Sequence, residues 1–179
     1  MTVPNSTTLT IAPGTSLNFG PSYGIAVAAG GALIAEGTAT QPITFTSPLT
    51  ETGYWIGLWA QQGSTLRLDQ CDLSYASDGN YGNGGLEINT DDAQVRNCRI
   101  HHNQQTGLYI YSRNGSSIHL ALTHVDVTHN GGYGVDLVTS SGSVTSLTWD
   151  DSNISQNGYA GVRTVSYTHL RAHETKANL

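Results

Sequence analysis

The phrase Gly107-Leu108-Tyr109-Ile110 returns as Gly134-Val135-Asp136-Leu137 and again as Gly161-Val162-Arg163-Thr164, at two equal intervals. Each copy alternates an apolar residue with a variable one, which is typical of a β-strand with one buried face. Three earlier copies are Gly24-Ile25-Ala26-Val27, Trp55-Ile56-Gly57-Leu58 and Gly85-Leu86-Glu87-Ile88. A fixed period of about 27 residues predicts stacked structural units, each of which contacts mainly its neighbours.

Further columns of apolar residues follow a similar interval. One column consists of Phe19, Phe45, Leu73, Ile100, Val127 and Ile154, preceded two positions earlier by Leu17, Ile43, Cys71, Cys98, Val125 and Ser152. A less regular column consists of Leu33, Leu66, Val95, Leu122 and Trp149. Residues two apart face the same side of a strand, so each unit is predicted to contain about three short strands. No stretch keeps a 3.6-residue apolar period over the length of a helix, which disfavours helical solenoids.

An asparagine column marks one corner of each unit. It consists of Asn103, Asn130 and Asn157, and the residues just before them are His102, His129 and Gln156. Asparagine tolerates the left-handed conformation of a sharp turn, and its amides can hydrogen-bond along a stack with a spacing of about 4.8 Å. Parallel crossovers are almost always right-handed. We therefore predict an all-β, single-stranded right-handed parallel β-helix of about six coils over residues 5–164.

The composition excludes two classes of protein. Of the 179 residues only 11% are charged, and the net charge of -6 disfavours nucleic-acid binding, which requires clustered Lys and Arg. No apolar run approaches the roughly 18 residues of a membrane span. Lys176 is the only lysine, and a chain this rich in neutral polar residues indicates an extracytoplasmic protein.

The last residues differ from the rest of the chain. Residues 165–175 (VSYTHLRAHET) resemble the translated read-through of a transposase sequencing adapter, and the repeat columns stop there. Residues 165–179 are therefore predicted to be a non-native tail, and the chain is expected to be a piece of a longer protein. The open strand edges of such a piece predict end-to-end self-association.

Two stretches, 9–20 (LTIAPGTSLNFG) and 31–47 (GALIAEGTATQPITFTS), resemble the opening coils of bacterial secreted and surface β-helix proteins of the pectate-lyase-like superfamily. In that family a Trp-containing strand follows, as at 55–58, and then a coil similar to 64–76 (STLRLDQCDLSYA). The resemblance covers residues 5–164. It implies a secreted or cell-surface bacterial protein, in a family that contains adhesins, passive stalks and carbohydrate-active enzymes.

The variable positions of the repeated phrase are predicted to point outward. The first outward row is Ala26, Gly57, Glu87, Tyr109, Asp136 and Arg163, and the second is Ala28, Trp59, Asn89, Tyr111 and Val138. Sugars stack on aromatic rings and hydrogen-bond to polar groups, so this face is a candidate glycan-binding surface. Its predicted ligand-binding residues are Trp59, Glu87, Asn89, Tyr109, Tyr111, Asp136 and Arg163. The alternative is an ordinary solvated sheet with scattered aromatic residues.

Weak catalytic candidates lie in the same rows. Glu87 and Asp136 are two coils apart, about 9.6 Å, near the upper limit for an inverting glycosidase, but Tyr109 between them would occupy the place of the attacking water. Arg163 and Tyr109 could supply the cation and the base of a lyase. The complete catalytic phrases of polygalacturonase-like hydrolases and alginate epimerases are absent. We expect a non-catalytic segment for adhesion or glycan contact; the alternative is part of a polysaccharide lyase, epimerase or hydrolase.

One pair of histidines is a candidate metal site, and the two cysteines are a candidate disulfide. His102 and His129 could share a metal, but no acidic or thiol ligand keeps a fixed spacing with them, so a stack of rings is favoured and neither metal nor cofactor is expected. Cys71 and Cys98 occupy one inward column on adjacent coils, where a disulfide is geometrically allowed. Buried free thiols that pack as small apolar groups are the interpretation that we favour.

Overall fold

The structure, a computed structural model, describes residues 1–79, 83–113, 115–140, 143–165, 168–173 and 176–177, and every regular element that it describes is a β-strand. The strands are β1 (Thr2–Val3), β2 (Thr8–Ile11), β3 (Ser16–Asn18), β4 (Gly24–Val27), β5 (Ala32–Glu36), β6 (Ile43–Thr46), β7 (Gly57–Ala60), β8 (Thr65–Asp69), β9 (Cys71–Ser74), β10 (Gly84–Ile88), β11 (Asp92–Arg96), β12 (Arg99–His101), β13 (Thr106–Ser112), β14 (Ser117–Thr123), β15 (Asp126–Thr128), β16 (Val135–Thr139), β17 (Val144–Asp150), β18 (Asn153–Ser155), β19 (Val162–Val165), β20 (Thr168–His173) and β21 (Lys176–Ala177). None of the described residues forms a helix with the length and apolar character needed to cross a membrane.

The strands form three parallel sheets of seven strands each. Sheet A contains β1, β4, β7, β10, β13, β16 and β19; sheet B contains β2, β5, β8, β11, β14, β17 and β20; sheet C contains β3, β6, β9, β12, β15, β18 and β21. Each strand pairs with the strand three places later, so every coil contributes one strand to each sheet. The prediction of an all-β parallel solenoid of about six coils is confirmed, and β19, β20 and β21 form one further rung at its end.

The final rung extends into the segment that the sequence analysis assigns to a tail. Strands β20 and β21 pair in parallel with β17 and β18, so the ladders of sheets B and C continue past residue 165. That residues 165–179 are non-native stays a prediction.

The inward side chains of the three sheets form one narrow core. Sheet A contributes Ile25, Val27, Leu58, Ala60, Leu86, Ile88, Leu108, Ile110, Val135 and Leu137, all at most 2% exposed. Every second residue of a strand faces this core, which leaves the residue between free to face outward. The alternation in the repeated phrase therefore sets which side chains lie on the outer face of sheet A.

The two cysteines are free and buried in this core. The thiol of Cys71 lies 3.2 Å from the carbonyl oxygen of Ala35. Contact with Cys98 and burial raise the pKa of the Cys71 thiol far above its ordinary value, so it remains protonated. Both side chains are buried and pack as small apolar groups.

Single residues in the left-handed conformation form two corners of the repeating coil. The corner between sheets B and C uses Gln70, Asn97, His124 and Asp151, and the corner after sheet C uses Tyr75, His102, His129 and Gln156, with φ between 49° and 62°. Successive members of each set are separated by the same interval as the ladder asparagines. The prediction that the column asparagines adopt this conformation was wrong, because in each coil the preceding residue turns the chain.

The column asparagines instead point into the solenoid and form a ladder. Asn103 Nδ2 donates to Asn130 Oδ1 at 2.8 Å, and Asn130 Nδ2 donates to Asn157 Oδ1 at 2.9 Å. The predicted hydrogen bonds along the stack are confirmed. Asn130 Oδ1 also accepts from the Asn103 backbone N–H at 3.1 Å, so the ladder satisfies buried main-chain groups as well.

The register at Trp55 differs from the prediction by two residues. Gly57, not Trp55, pairs with Gly24, and Trp59 takes the position beside Ala26 that was assigned to Gly57. Trp55 is fully buried at the corner before β7, where its Nε1 donates to the Ser74 carbonyl oxygen at 2.8 Å. At Gly57 φ is 120°, and a Cβ there would lie 2.5 Å from the Gly85 carbonyl oxygen, so a glycine is required.

The other two sheets show similar shifts of two residues. In sheet C, Leu17 rather than Phe19 pairs with Phe45, and Phe19 stacks on Trp55 with ring centres 4.3 Å apart. In sheet B, Val95 pairs with Leu68 rather than with Leu66. Each shift keeps apolar residues inside, because a slip of two residues preserves the face of a strand.

Candidate functional site

The outer face of sheet A carries one continuous row of side chains. Backbone pairing places Ala26, Trp59, Glu87, Tyr109, Asp136 and Arg163 side by side. Neighbours in this row are separated by the strand spacing of about 4.8 Å. The row therefore joins five of the seven predicted ligand-binding residues.

Trp59 anchors an aromatic patch near the middle of sheet A. The residue is 40% exposed, and its Nε1 donates to Tyr111 Oη at 2.9 Å. The rings of Tyr111 and Tyr109 are 5.4 Å apart, and the Arg113 guanidinium lies 4.8 Å from the centre of the Tyr111 ring. These contacts hold Tyr111 almost fully buried, so the accessible rings of the patch are Trp59 and Tyr109.

A second cluster forms a cleft, which we call the tyrosine cleft. It has a volume of about 300 Å³, and its principal lining residues are Tyr109, Tyr133, Asp136, Tyr159 and Arg163. Tyr109, Asp136 and Arg163 come from sheet A, whereas Tyr133 and Tyr159 come from the connections between sheets C and A. The repeat columns do not predict these two tyrosines, although each follows an asparagine of the ladder by two or three residues.

An ion pair forms the floor of the tyrosine cleft. Arg163 Nε donates to Asp136 Oδ1 at 2.8 Å, and Nη2 donates to Oδ2 of the same carboxylate. The Arg163 guanidinium lies 4.4 Å from the centre of the Tyr133 ring, which in turn packs edge-on against Tyr159. A bidentate pair with a buried carboxylate fixes both side chains, and it raises the pKa of Arg163 further above its usual range.

Glu87 is the second buried carboxyl group of the row. It is 8% exposed, and its Oε1 accepts hydrogen bonds from the backbone N–H groups of Asn83 and Gly84. Burial raises the pKa of Glu87; the two backbone hydrogen bonds and the charge of Arg113 oppose this effect only in part. A carboxyl group in this setting favours its protonated form more than a solvated glutamate does.

Tyr109 lies between Glu87 and Asp136, as the sequence analysis expects. Its ring is half-buried, and burial together with the charges of Asp136 and Glu87 raises its pKa. The phenol therefore keeps its proton at neutral pH and can donate a hydrogen bond to a ligand oxygen.

Asn89 lies apart from the other predicted residues. It borders a different cavity of about 410 Å³, at the junction of sheets A and B, together with Thr90, Asp91 and Ser117. Its Oδ1 is buried and has no hydrogen-bond partner in the part of the chain that the structure describes. Five of the predicted binding residues thus lie in the outer row, Tyr111 is buried in the aromatic patch beside it, and Asn89 borders this second cavity.

The histidine corner has the arrangement that the sequence analysis favours. The rings of His102 and His129 stack in parallel, with their centres 5.2 Å apart. Burial, and to a smaller extent the electrostatic effect of His101, His129 and Arg99, lowers the pKa of His102. Among the described residues, no group of three or more His, Cys, Asp and Glu side chains is placed to hold a metal ion.

Changing Glu87 to glutamine is expected to raise the melting temperature at pH 8 but not at pH 4. The raised pKa means that folded Glu87 binds a proton more tightly than unfolded Glu87, so its contribution to stability falls as the pH rises above about 4.5. Glutamine remains neutral, and its Oε1 can accept the same two backbone hydrogen bonds. Thermal melts followed by circular dichroism at both pH values measure the difference.

Asp92→Asn is a control that is expected to change the melting temperature at pH 8 in the opposite direction. Hydrogen bonds from Thr65 and Arg67 lower the pKa of Asp92, so its contribution to stability is present at pH 8 and is lost as the pH falls. This variant is expected to melt slightly below the wild type at pH 8. A Glu87→Gln protein that melts below the wild type at pH 8 would contradict the assigned environment of Glu87.

A family model described as "Right handed beta helix region" matches residues 23–148. No curated protein and no solved structure matches the chain. The matched segment begins just before β4 and ends within β17, so it contains the aromatic patch and most of the tyrosine cleft. It covers more than half of the chain, and it confirms the predicted right hand of the coil. The chain therefore belongs to the right-handed β-helix family.

Proposed function

We propose that this chain is a non-catalytic β-helix segment of a secreted or cell-surface bacterial protein and that the outer face of sheet A contacts glycans. The observation that carries the proposal is the tyrosine cleft, in which the rings of Tyr109, Tyr133 and Tyr159 surround a fixed ion pair. A volume of about 300 Å³ falls at the lower end of small-ligand sites.

The chemistry of the tyrosine cleft suits a sugar ring. Tyr159 is 71% exposed, so its face is open for stacking against the apolar side of a pyranose. The phenol groups can donate to and accept from sugar hydroxyls, while Asp136 and Arg163 are held in place by each other. Rigid side chains of this kind lose little conformational entropy when a ligand binds.

The compartment and the biological role rest on composition and resemblance. The surface is rich in neutral polar residues, and the opening coils resemble those of bacterial secreted proteins. An adhesive role follows if the segment displays sheet A on a cell surface. Association of copies through the outermost strand edges is part of this proposal, and analytical ultracentrifugation tests it.

A glycan array with the whole chain tests the proposed binding. We expect Tyr159→Ala to weaken binding to the best glycan about 5- to 30-fold, which corresponds to the loss of one stacking contact. His119→Ala is the control, because the His119 side chain is 61% exposed but lies on β14 in sheet B, away from sheet A and the tyrosine cleft. Absence of binding to every glycan, or equal weakening by both substitutions, would overturn the proposal.

One observation favours a carbohydrate-active enzyme as a second candidate. Glu87 has a raised pKa and lies two rungs from Asp136, whose carboxylate is paired with Arg163. Glycosidases require two carboxyl groups in different environments on one face, and the buried Glu87 and the arginine-paired Asp136 are such a pair. The assay is the release of reducing ends or unsaturated products from neutral and uronate polysaccharides. Activity that is lost in Glu87→Gln or in Tyr109→Phe would establish the enzyme over the binding proposal.

A further inference from the structure

The corner after β12 brings two histidines together. His101 is the last residue of β12, and His102 follows with a φ of 54°. Consecutive side chains of a strand point to opposite faces, but the left-handed residue reverses this and turns both rings to the same side. Their Nδ1 atoms are 2.7 Å apart, and the ring planes are nearly perpendicular at 85°.

The other ring nitrogen of His101 determines its tautomer. His101 Nε2 lies 3.0 Å from Asp72 Oδ1, and Asp72 also contacts Arg99 Nη1 at 3.2 Å. An ionised carboxylate only accepts hydrogen bonds, so His101 Nε2 is the donor. The Nδ1 atom of a neutral His101 therefore presents a lone pair towards His102. A histidine whose far nitrogen donates to a carboxylate is the usual arrangement of a metal ligand.

We propose that His101 and His102 form a two-nitrogen site for a divalent transition-metal ion of the copper or nickel type, with Asp72 orienting His101. Two nitrogens bound at about 2.0 Å and at a right angle are about 2.8 Å apart, whereas tetrahedral coordination at the same distance requires about 3.3 Å. The separation of 2.7 Å is that of a hydrogen bond between the two rings, and it is close to the right-angled value, so an ion with right-angled ligands requires less ring movement than tetrahedral zinc.

The chemistry of binding is simple. Without metal, His102 Nδ1–H donates to His101 Nδ1. With metal, both Nδ1 lone pairs bind the ion, and the His102 ring carries its proton on Nε2. His129 stacks in parallel on His102, so its lone pair lies in a separate plane. Water completes the coordination, since the described residues offer no group of three ligands.

Titration of the whole chain with Cu(II) alone, in a non-chelating buffer at pH 7, tests the site. We expect one ion per chain with a spectrum of two nitrogen ligands in electron paramagnetic resonance, binding of Ni(II) as well, and weaker binding of Zn(II). The double variant His101→Thr, His102→Gln should bind Cu(II) at least tenfold more weakly. Threonine and glutamine are chosen because the chain itself has them at the equivalent positions of later coils. Thr128 pairs with His101, and Gln156 occupies the same left-handed corner as His102.

Two further variants make the test specific. His129→Gln keeps both Nδ1 atoms and is expected to retain Cu(II) affinity. Asp72→Asn keeps both ligands but removes the carboxylate acceptor, and it should weaken binding about 10-fold or more. Undiminished binding in the folded double variant would assign the ion to other histidines and overturn the proposal. Equal loss in His129→Gln, or no binding by the wild type, would overturn it as well.

Discussion

Replacing Asn130 by alanine is expected to lower the free energy of unfolding by about 3–5 kcal/mol. Asn130 is 2% exposed, and its Oδ1 accepts from both the backbone N–H and the Nδ2 of Asn103. Its Nδ2 donates to the Ile100 carbonyl oxygen and to Asn157 Oδ1. Alanine removes all four bonds, and each buried group left without a partner costs about 1–3 kcal/mol. Urea denaturation followed by circular dichroism measures the change.

Asn153→Ala is the matched control for this prediction. Asn153 belongs to β18 on the same side of the solenoid, but it lies outside the asparagine ladder and is partly exposed. Its substitution is expected to change stability by about 0.5 kcal/mol or less. If Asn130→Ala cost no more than this control, the ladder would be a consequence of the coil and not a cause of its stability.

Replacing Trp55 by alanine is expected to cost about 3–5 kcal/mol of unfolding free energy. The side chain is fully buried, stacks on Phe19 and donates its indole N–H to Ser74. Alanine removes the ring that fills the corner before β7, and it leaves a cavity that the neighbouring coils cannot close. The midpoint of urea denaturation should fall accordingly, with little change in the slope.

Two other tryptophan substitutions separate the contribution of packing from that of the hydrogen bond to Ser74. Trp55→Phe keeps most of the packing but loses the hydrogen bond to Ser74, so a loss of about 1–2 kcal/mol is expected. Trp59→Ala removes a side chain of a residue that is 40% exposed, and about 1 kcal/mol is expected. Equal losses at Trp55 and Trp59 would contradict the register described here, which places Trp55 inside the solenoid and Trp59 on its outer face.

Much of the fold could be predicted because a single period is carried by several columns at once. The errors in register arose where the period is irregular, at Phe19, Trp55 and Val95. An apolar pattern with a period of two specifies the face of a strand, but it is unchanged by a slip of two residues. At Phe19 and Trp55 the stacking of the two rings decides between the alternatives, and that contact joins residues from adjacent coils.

The candidate site could be predicted only in outline. The row of Glu87, Tyr109, Asp136 and Arg163 follows from the alternation of one strand per coil. The burial of Glu87 depends on Asn83, and the walls of the tyrosine cleft depend on Tyr133 and Tyr159. These residues lie in connections, whose course no periodicity specifies.

The members of the outer row are unequally spaced along the chain, which shows where the solenoid tolerates insertions and deletions. From Tyr109 onward the members of the row follow one another at equal intervals along the chain. The interval from Ala26 to Trp59 is longer than these, and the interval from Glu87 to Tyr109 is shorter. The longer interval comes from residues 37–42, which connect β5 to β6 between sheets B and C, whereas Gln70 alone joins β8 to β9. The shorter interval comes from the connection between β10 and β11, which joins sheets A and B. Insertions and deletions are therefore absorbed in the connections between sheets. A solenoid of this kind can change which side chains meet on the outer face of sheet A by altering loop length alone, while the paired strands that maintain the coil stay the same.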